Sequence, residues 1–91
     1  MKVKNMNNRP NQFIIEGAIA NISGILESGD MFQSYESNIV FKGTHGTYID
    51  KNFWDYSTTT GRYRNQFLGE NKKETQRKID AGIYKLVDLN K

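Results

Sequence analysis

From Met31 onward the hydrophobic positions of this chain read clearly; before it they are ambiguous. "SNIVFKGTHGTYID" holds a β-rich run, a loop Gly43-Thr44-His45-Gly46 and a second β-rich run. Paired glycines at a tight turn supply backbone freedom, so the spacing predicts a β-hairpin. Further on, Tyr56, Thr60, Tyr63 and Phe67 recur at helical spacing and predict one face of an α-helix. Ser57 or Thr58 can cap its first N–H groups, and Gly69 stands where a left-handed C-terminal cap belongs. Asn71 opens a second helix. Glu74, three residues on, completes a capping-box-like pair and reaches Lys78 at i+4, and Gly82 ends the helix. "IYKLVDL" reads as a closing strand, with Ile83, Val87 and Leu89 on one face and Tyr84, Leu86 and Asp88 on the other.

The N-terminal third is less regular. In "FIIEGAIANISGIL", Ile14, Ala18, Ile22 and Ile25 or Leu26 follow a helical period, and the reading leans to helix. Gly17 and Gly24 oppose it, each costing about 1 kcal/mol relative to Ala inside a helix. Residues 1–12 contain Asn5, Asn7, Asn8, Asn11 and the only proline, with few apolar groups, which predicts a flexible arm. The expected whole is a small α+β fold: an arm over 1–12, then a single domain over 13–91 with a β-hairpin, two short helices and a closing strand.

Composition narrows the chemistry. A chain of 91 residues has room for one core. Its mean hydropathy of −0.74 predicts a soluble protein, and no apolar run approaches the roughly 20 residues of a membrane span. Polar residues follow Lys2 and Lys4 where a signal peptide needs an apolar stretch, so a cytoplasmic location is expected. The absence of cysteine excludes disulfides, thiolate metal sites and thiol nucleophiles, and His45 is the only histidine.

A hydrolytic constellation would need Ser57 or one of Thr58, Thr59 and Thr60 as nucleophile, His45 as base and Asp50 or Asp55 as orienter. The serine lacks nucleophile-elbow glycines and His45 lies in a hairpin loop, so no catalytic residue and no enzymatic activity are assigned. Asp50, Asn52 and Asp55 begin like a calcium loop. Asp55 stands where that loop needs its glycine and Gly61 where it needs a bidentate glutamate, so no metal or cofactor is expected. The helix–"LGEN"–helix order also invites a helix-turn-helix comparison. Its inward positions would fall on Asn65, Thr75 and Lys78, which are not the small and apolar residues it requires.

Charge points elsewhere. The net charge is +3, but residues 1–15 carry +3, residues 16–55 carry −4 and residues 56–91 carry +4. In the last third Arg62, Arg64, Lys72, Lys73, Arg77 and Lys78 are interleaved with Tyr63, Asn65 and Gln76. Guanidinium groups fork onto phosphates, aromatic rings stack on bases and amides read base edges. The expected site is therefore a nucleic-acid or partner-binding face made by Arg62, Arg64, Lys72, Lys73, Gln76, Arg77 and Lys78.

The stretch "YIDKNFWDYSTTTGRYRNQFLGENKKETQRKIDAGIYKLVDLN" resembles a family of small proteins of unknown function encoded by phages, prophages and mobile elements. The resemblance runs from about Phe32 to Asn90. It is carried by Trp54-Asp55-Tyr56-Ser57, Thr59-Thr60, Tyr63, Phe67-Leu68, Lys73-Glu74-Thr75, Gly82 and Leu86-Val87-Asp88-Leu89. Residues 1–30 lie outside it. The resemblance implies origin rather than chemistry. By analogy, small phage accessory proteins bind host machinery, so the expected partner is nucleic acid or a nucleic-acid-bound host protein complex. The alternative is a protein-directed, anti-CRISPR-like inhibitor. It would use Tyr35, Tyr48, Glu36, Asp50 and Asp55, the acids imitating phosphates and the aromatics serving as anchors; Phe53 and Trp54 are expected in the core.

Overall fold

The segment from residue 12 to residue 34 is a long β-hairpin, not a helix. In the computed structural model, which describes residues 1–91, β2 (Gln12–Ile22) and β3 (Ile25–Ser34) pair antiparallel from Gln12↔Ser34 to Ile22↔Ile25. The two glycines counted against a helix are the reason. Ser23 and Gly24 form the two-residue turn with φ of +52° and +88°, both positive as a type I′ turn demands. Gly17, at φ +69°, sits where the register shifts between Ile15 and Ala18. A bulge there slips the strand's alternation by a residue, and this imitates a helical period in the sequence.

Five strands then follow one another as neighbours. β1 (Lys2–Asn5) pairs with β2, β4 (Ser37–Gly43) with β3, and β5 (Gly46–Asp50) with β4, all antiparallel. β6 (Tyr84–Val87) joins β5 in parallel and completes a six-stranded sheet in chain order. Between β5 and β6 lie α1 (Thr58–Leu68) and α2 (Lys72–Asp80). The fold is α+β as expected, but most of it is sheet rather than one hairpin. The residues expected as an arm supply β1 and a 3-10 turn over Met6–Asn8 that buries Met6. Their asparagines have a conformational use: Asn7, Asn8 and Asn11 all adopt positive φ, which asparagine tolerates better than most residues. The β4–β5 loop is also tighter than expected. Gly43 pairs with Gly46, leaving Thr44-His45 as the loop.

Alternation along the strands places apolar side chains on both sheet faces. On the helical side Phe32, Ile39, Val40 and Ile49 meet Met6, Tyr63, Phe67 and Tyr84. A register shift opposite Phe32 and Gln33 lets the successive Ile39 and Val40 join the same cluster. Phe32 stacks on Phe67 at 5.8 Å. On the other face Ala18, Ile22, Met31, Phe41 and Tyr48 form a second cluster, with Leu89 packed against it. Buried Glu27 closes its rim, accepting from the Tyr48 hydroxyl at 2.6 Å and from the His45 N–H at 3.0 Å. β6 divides its faces as its alternation predicts: Tyr84 joins the helical-side cluster beside Thr47, Val87 and the following Leu89 pack on the other cluster, and Ile83, just before the strand, is exposed.

The helices start and stop where their caps dictate. Ser57 Oγ accepts from Thr60 N at 3.1 Å, Asn71 Oδ1 accepts from Glu74 N at 2.9 Å, and Gly69 closes α1 at φ +71°. Gly82 N–H and Ile83 N–H donate to the Ile79 and Lys78 carbonyls, the paired bonds of a Schellman end. The expected Glu74–Lys78 pair does not form: Glu74 takes Arg77, and Lys78 turns inward to Glu70. Glu70, with 7% of its side chain exposed, accepts from Lys78 at 2.7 Å, Tyr84 at 2.9 Å and Thr75 at 2.7 Å. Burial raises this carboxyl, but those donors outweigh it and hold the group below its ordinary value.

A group held below its unfolded value contributes stability that is present above that value and is lost as pH falls through the folded one. The wild type should therefore weaken below about pH 4.5, the ordinary carboxyl value, and Glu70→Gln should decline less steeply there. At neutral pH, Glu70→Gln should cost about 2 kcal/mol or more in urea denaturation, because Lys78 loses its partner. The fully buried Gln12 has no protein partner for either amide atom. Replacing it with Leu should leave stability unchanged or raise it by about 1 kcal/mol, and a loss above about 2 kcal/mol would contradict this account of the amide.

Candidate nucleic-acid interface

The two helices sort the expected cationic face into inner and outer members. Thr60, Tyr63 and Phe67 point into the core as their spacing predicts, whereas Tyr56, the first of that series, stands before the helix and is 45% exposed. Arg64, one turn after Thr60, goes in with them and is 1% exposed. It donates to the Trp54 carbonyl at 2.6 Å, to Asp55 at 3.2 Å and to Asn65 at 3.0 Å, and its guanidinium lies 5.0 Å from the Trp54 ring centre. Arg64 is thus a buried brace between α1 and the segment before it, and it drops out of the expected cationic face. Lys78 leaves it as well, three-quarters buried against Glu70 and over the Tyr84 ring.

Arg62, Lys72, Lys73, Gln76 and Arg77 remain exposed. Lys72 lies 2.5 Å from Asp55, and Arg77 is paired with Glu74. Gln76 donates to Asp80 at 3.0 Å. Arg62 and Lys73 make no ion pair. The charges act on one another in a consistent direction. Burial raises the Asp55 carboxyl, and hydrogen bonds and charge from Lys72 and Arg64 more than reverse this, leaving it lowered. Arg77 lowers Glu74 and is itself raised by it. Exposed pairs of this kind are worth little to stability. Their cations can turn to another anion at small cost.

Two shallow clefts flank this face. One, of about 400 Å³ at the start of α2, is lined by Glu70, Asn71, Lys73, Glu74 and Arg77. The other, of about 490 Å³ at the start of α1, includes Asp55, Ser57, Thr58, Arg62, Arg64 and Lys72 in its lining. Neither has an apolar wall, so both suit a charged or polar group better than a small apolar ligand.

The alternative set is divided more sharply. Tyr48 is buried, with its hydroxyl on Glu27. Asp50 is fully buried, and its carboxylate accepts from the N–H groups of Asn52, Phe53 and Leu89 at 2.8–3.1 Å. It ties the end of β5 to the chain after β6 and cannot imitate a phosphate on the surface. Asp55 is engaged by Arg64 and Lys72. Tyr35 and Glu36 are exposed in the β3–β4 turn. Trp54 packs against the core as expected, whereas Phe53 is 36% exposed and meets Tyr56 edge-on at 5.7 Å. The sequence reading missed Ile19, Ile25 and Leu26, which are 63–70% exposed near the β2–β3 turn. For Ile19 the strand alternation that a helical reading concealed was the available signal; Ile25 and Leu26 are exposed together because they adjoin the turn.

No helix is long and apolar enough to cross a membrane. No curated protein and no solved structure matches the chain. A family described as being of unknown function, DUF8033, matches residues 1–82. The match takes in the first thirty residues, which the sequence resemblance left aside, and stops before β6. The chain belongs to this family of unknown function.

Proposed function

We propose that this chain is a non-enzymatic accessory protein of a phage or mobile element, acting in the host cytoplasm on nucleic acid or a nucleic-acid-handling host complex. The observation that carries the reading is the pair Arg62 and Lys73, one near the start of each helix, both exposed and without a carboxylate partner. Lys72, Gln76 and Arg77 stand beside them with weakly held partners. Lysine and arginine at such positions neutralise backbone phosphates and release counterions, without any bond being made or broken. Fluorescence anisotropy with labelled single-stranded and duplex oligonucleotides tests this. The logarithm of affinity should fall with the logarithm of salt concentration at a slope of about −2 to −4, for two to four contacts. Arg62→Glu with Lys73→Glu should make that slope shallower by about 2. An absence of binding at low salt removes the reading.

One observation favours the protein-directed alternative. Tyr35 leads the β3–β4 turn at φ +57° and is 45% exposed, although a bulky residue in that conformation is strained. Such strain costs about 1–3 kcal/mol and persists where surroundings or use demand it. With Glu36 beside it, Tyr35 would anchor a protein surface of a host defence complex. Tyr35→Asn should keep or raise stability, by up to about 1 kcal/mol, while abolishing capture of any nuclease-resistant partner from host lysate. Capture undiminished by the substitution would remove Tyr35 from the interface.

A further inference from the structure

The start of α1 carries donors that the fold does not use. Ser57 caps the helix by accepting from Thr60 N–H through its side chain and from Gly61 N–H through its carbonyl. The N–H groups of Thr58 and Thr59 belong to the first turn, where no intrahelical acceptor exists. Thr58 lines the cleft beside Ser57, whose hydroxyl accepts one bond and keeps its proton to donate. Arg62 adds a guanidinium with no carboxylate partner, and Lys72 adds an ammonium that is 57% exposed.

A second observation comes from below. Arg64 also lines this cleft, is almost wholly buried, and has an Nε–H that meets no acceptor. Asp55 is the only carboxylate in the lining, against Arg62, Arg64 and Lys72, so the cleft carries a net charge of +2. At the start of α2, Glu70 and Glu74 offset Lys73 and Arg77, so that cleft carries no net charge. The macrodipole favours an anion at either helix start, but only the α1 cleft has cationic charge left over.

We propose that this cleft binds a phosphate group. The first-turn amides and the Ser57 hydroxyl take its oxygens, Arg62 and Lys72 close over it, and Asp55 keeps Arg64 fixed underneath. Lys72 has three donors and can serve Asp55 and a phosphate together. In taking that phosphate to be one of a nucleic-acid backbone, the inference rests on the function proposed above; free phosphate offers the same chemistry.

The test is a titration of the ¹⁵N-labelled full chain with inorganic phosphate, against sodium chloride at matched ionic strength. The amide signals of Thr58 and Thr59 and the Arg64 Nε–H signal should move saturably, while the Lys72 and Lys73 amides at the start of α2 should not follow. Arg62→Ala combined with Lys72→Ala, both exposed and spectrally checkable for folding, should weaken binding at least tenfold. Equal, unsaturated drift at both helix starts, or affinity unchanged in the double variant, overturns the site. A second arm uses a short single-stranded oligonucleotide with the same signals. If the oligonucleotide binds while Thr58 and Thr59 stay still, the site fails and the nucleic-acid function stands. If inorganic phosphate saturates the site but the oligonucleotide does not bind, the site stands as one for free phosphate and the nucleic-acid function fails.

Discussion

Parallel pairing between β5 and β6 is the constraint from which the rest of the domain follows. Two adjacent parallel strands cannot be joined by a tight turn, and the chain must cross one face of the sheet to return. Here it crosses with α1 and α2, and that places both helices over Phe32, Val40 and Ile49. Once the helices lie there, each has an inner side with no access to water. Polar side chains on that side need partners, and the crossover contains them: Asp55 for Arg64, and Glu70 for Lys78 and Thr75. Of the acids in this segment, Glu70 belongs to the interior and Asp55 reaches into it from the surface, each set opposite a base that geometry turned inward.

This explains which parts of the fold could be read along the chain. Helix starts and ends depend on a few neighbouring residues, so Ser57, Gly69, Asn71 and Gly82 marked them correctly. The β4–β5 hairpin was legible for the same local reason. The β2–β3 hairpin was not, because a bulge at Gly17 shifts the strand's alternation and leaves apolar residues at near-helical intervals. Only the opposing strand distinguishes the two cases, and a linear pattern does not reveal its register. The asparagines of the first dozen residues were misleading in another way. They resemble the composition of a disordered segment, yet three of them supply left-handed turns that lead the chain from β1 into β2.

The candidate site was legible as a composition and illegible as a surface. Counting cations between Arg62 and Lys78 placed them on two helices, but it could not tell that Arg64 shares a face with Thr60 and Tyr63 rather than with Arg62. A guanidinium and a phenol can occupy the same helical position relative to a core when a carboxylate and a carbonyl wait there. The acids of the alternative set misled for a matching reason. Asp50 follows the strand as a turn residue would, and its burial arises because the segment after β6 returns to donate the Leu89 N–H to it from 39 residues away.

Asp55 connects the scaffold to the surface, and its two bonds differ in kind. Its bond to Arg64 is made in the interior, where the guanidinium also holds the Trp54 carbonyl and lies against the Trp54 ring, so breaking it would leave a buried cation unpaired. Its bond to Lys72 lies at the surface and is exchangeable. One carboxylate therefore fixes the start of α1 while only lightly restraining the start of α2. The fixed side supplies rigidity, and the loose side supplies a cation free to turn toward an incoming anion. In a face arranged this way Lys72 can exchange its partner without loosening Arg64, because the interior bond does not depend on the outer one.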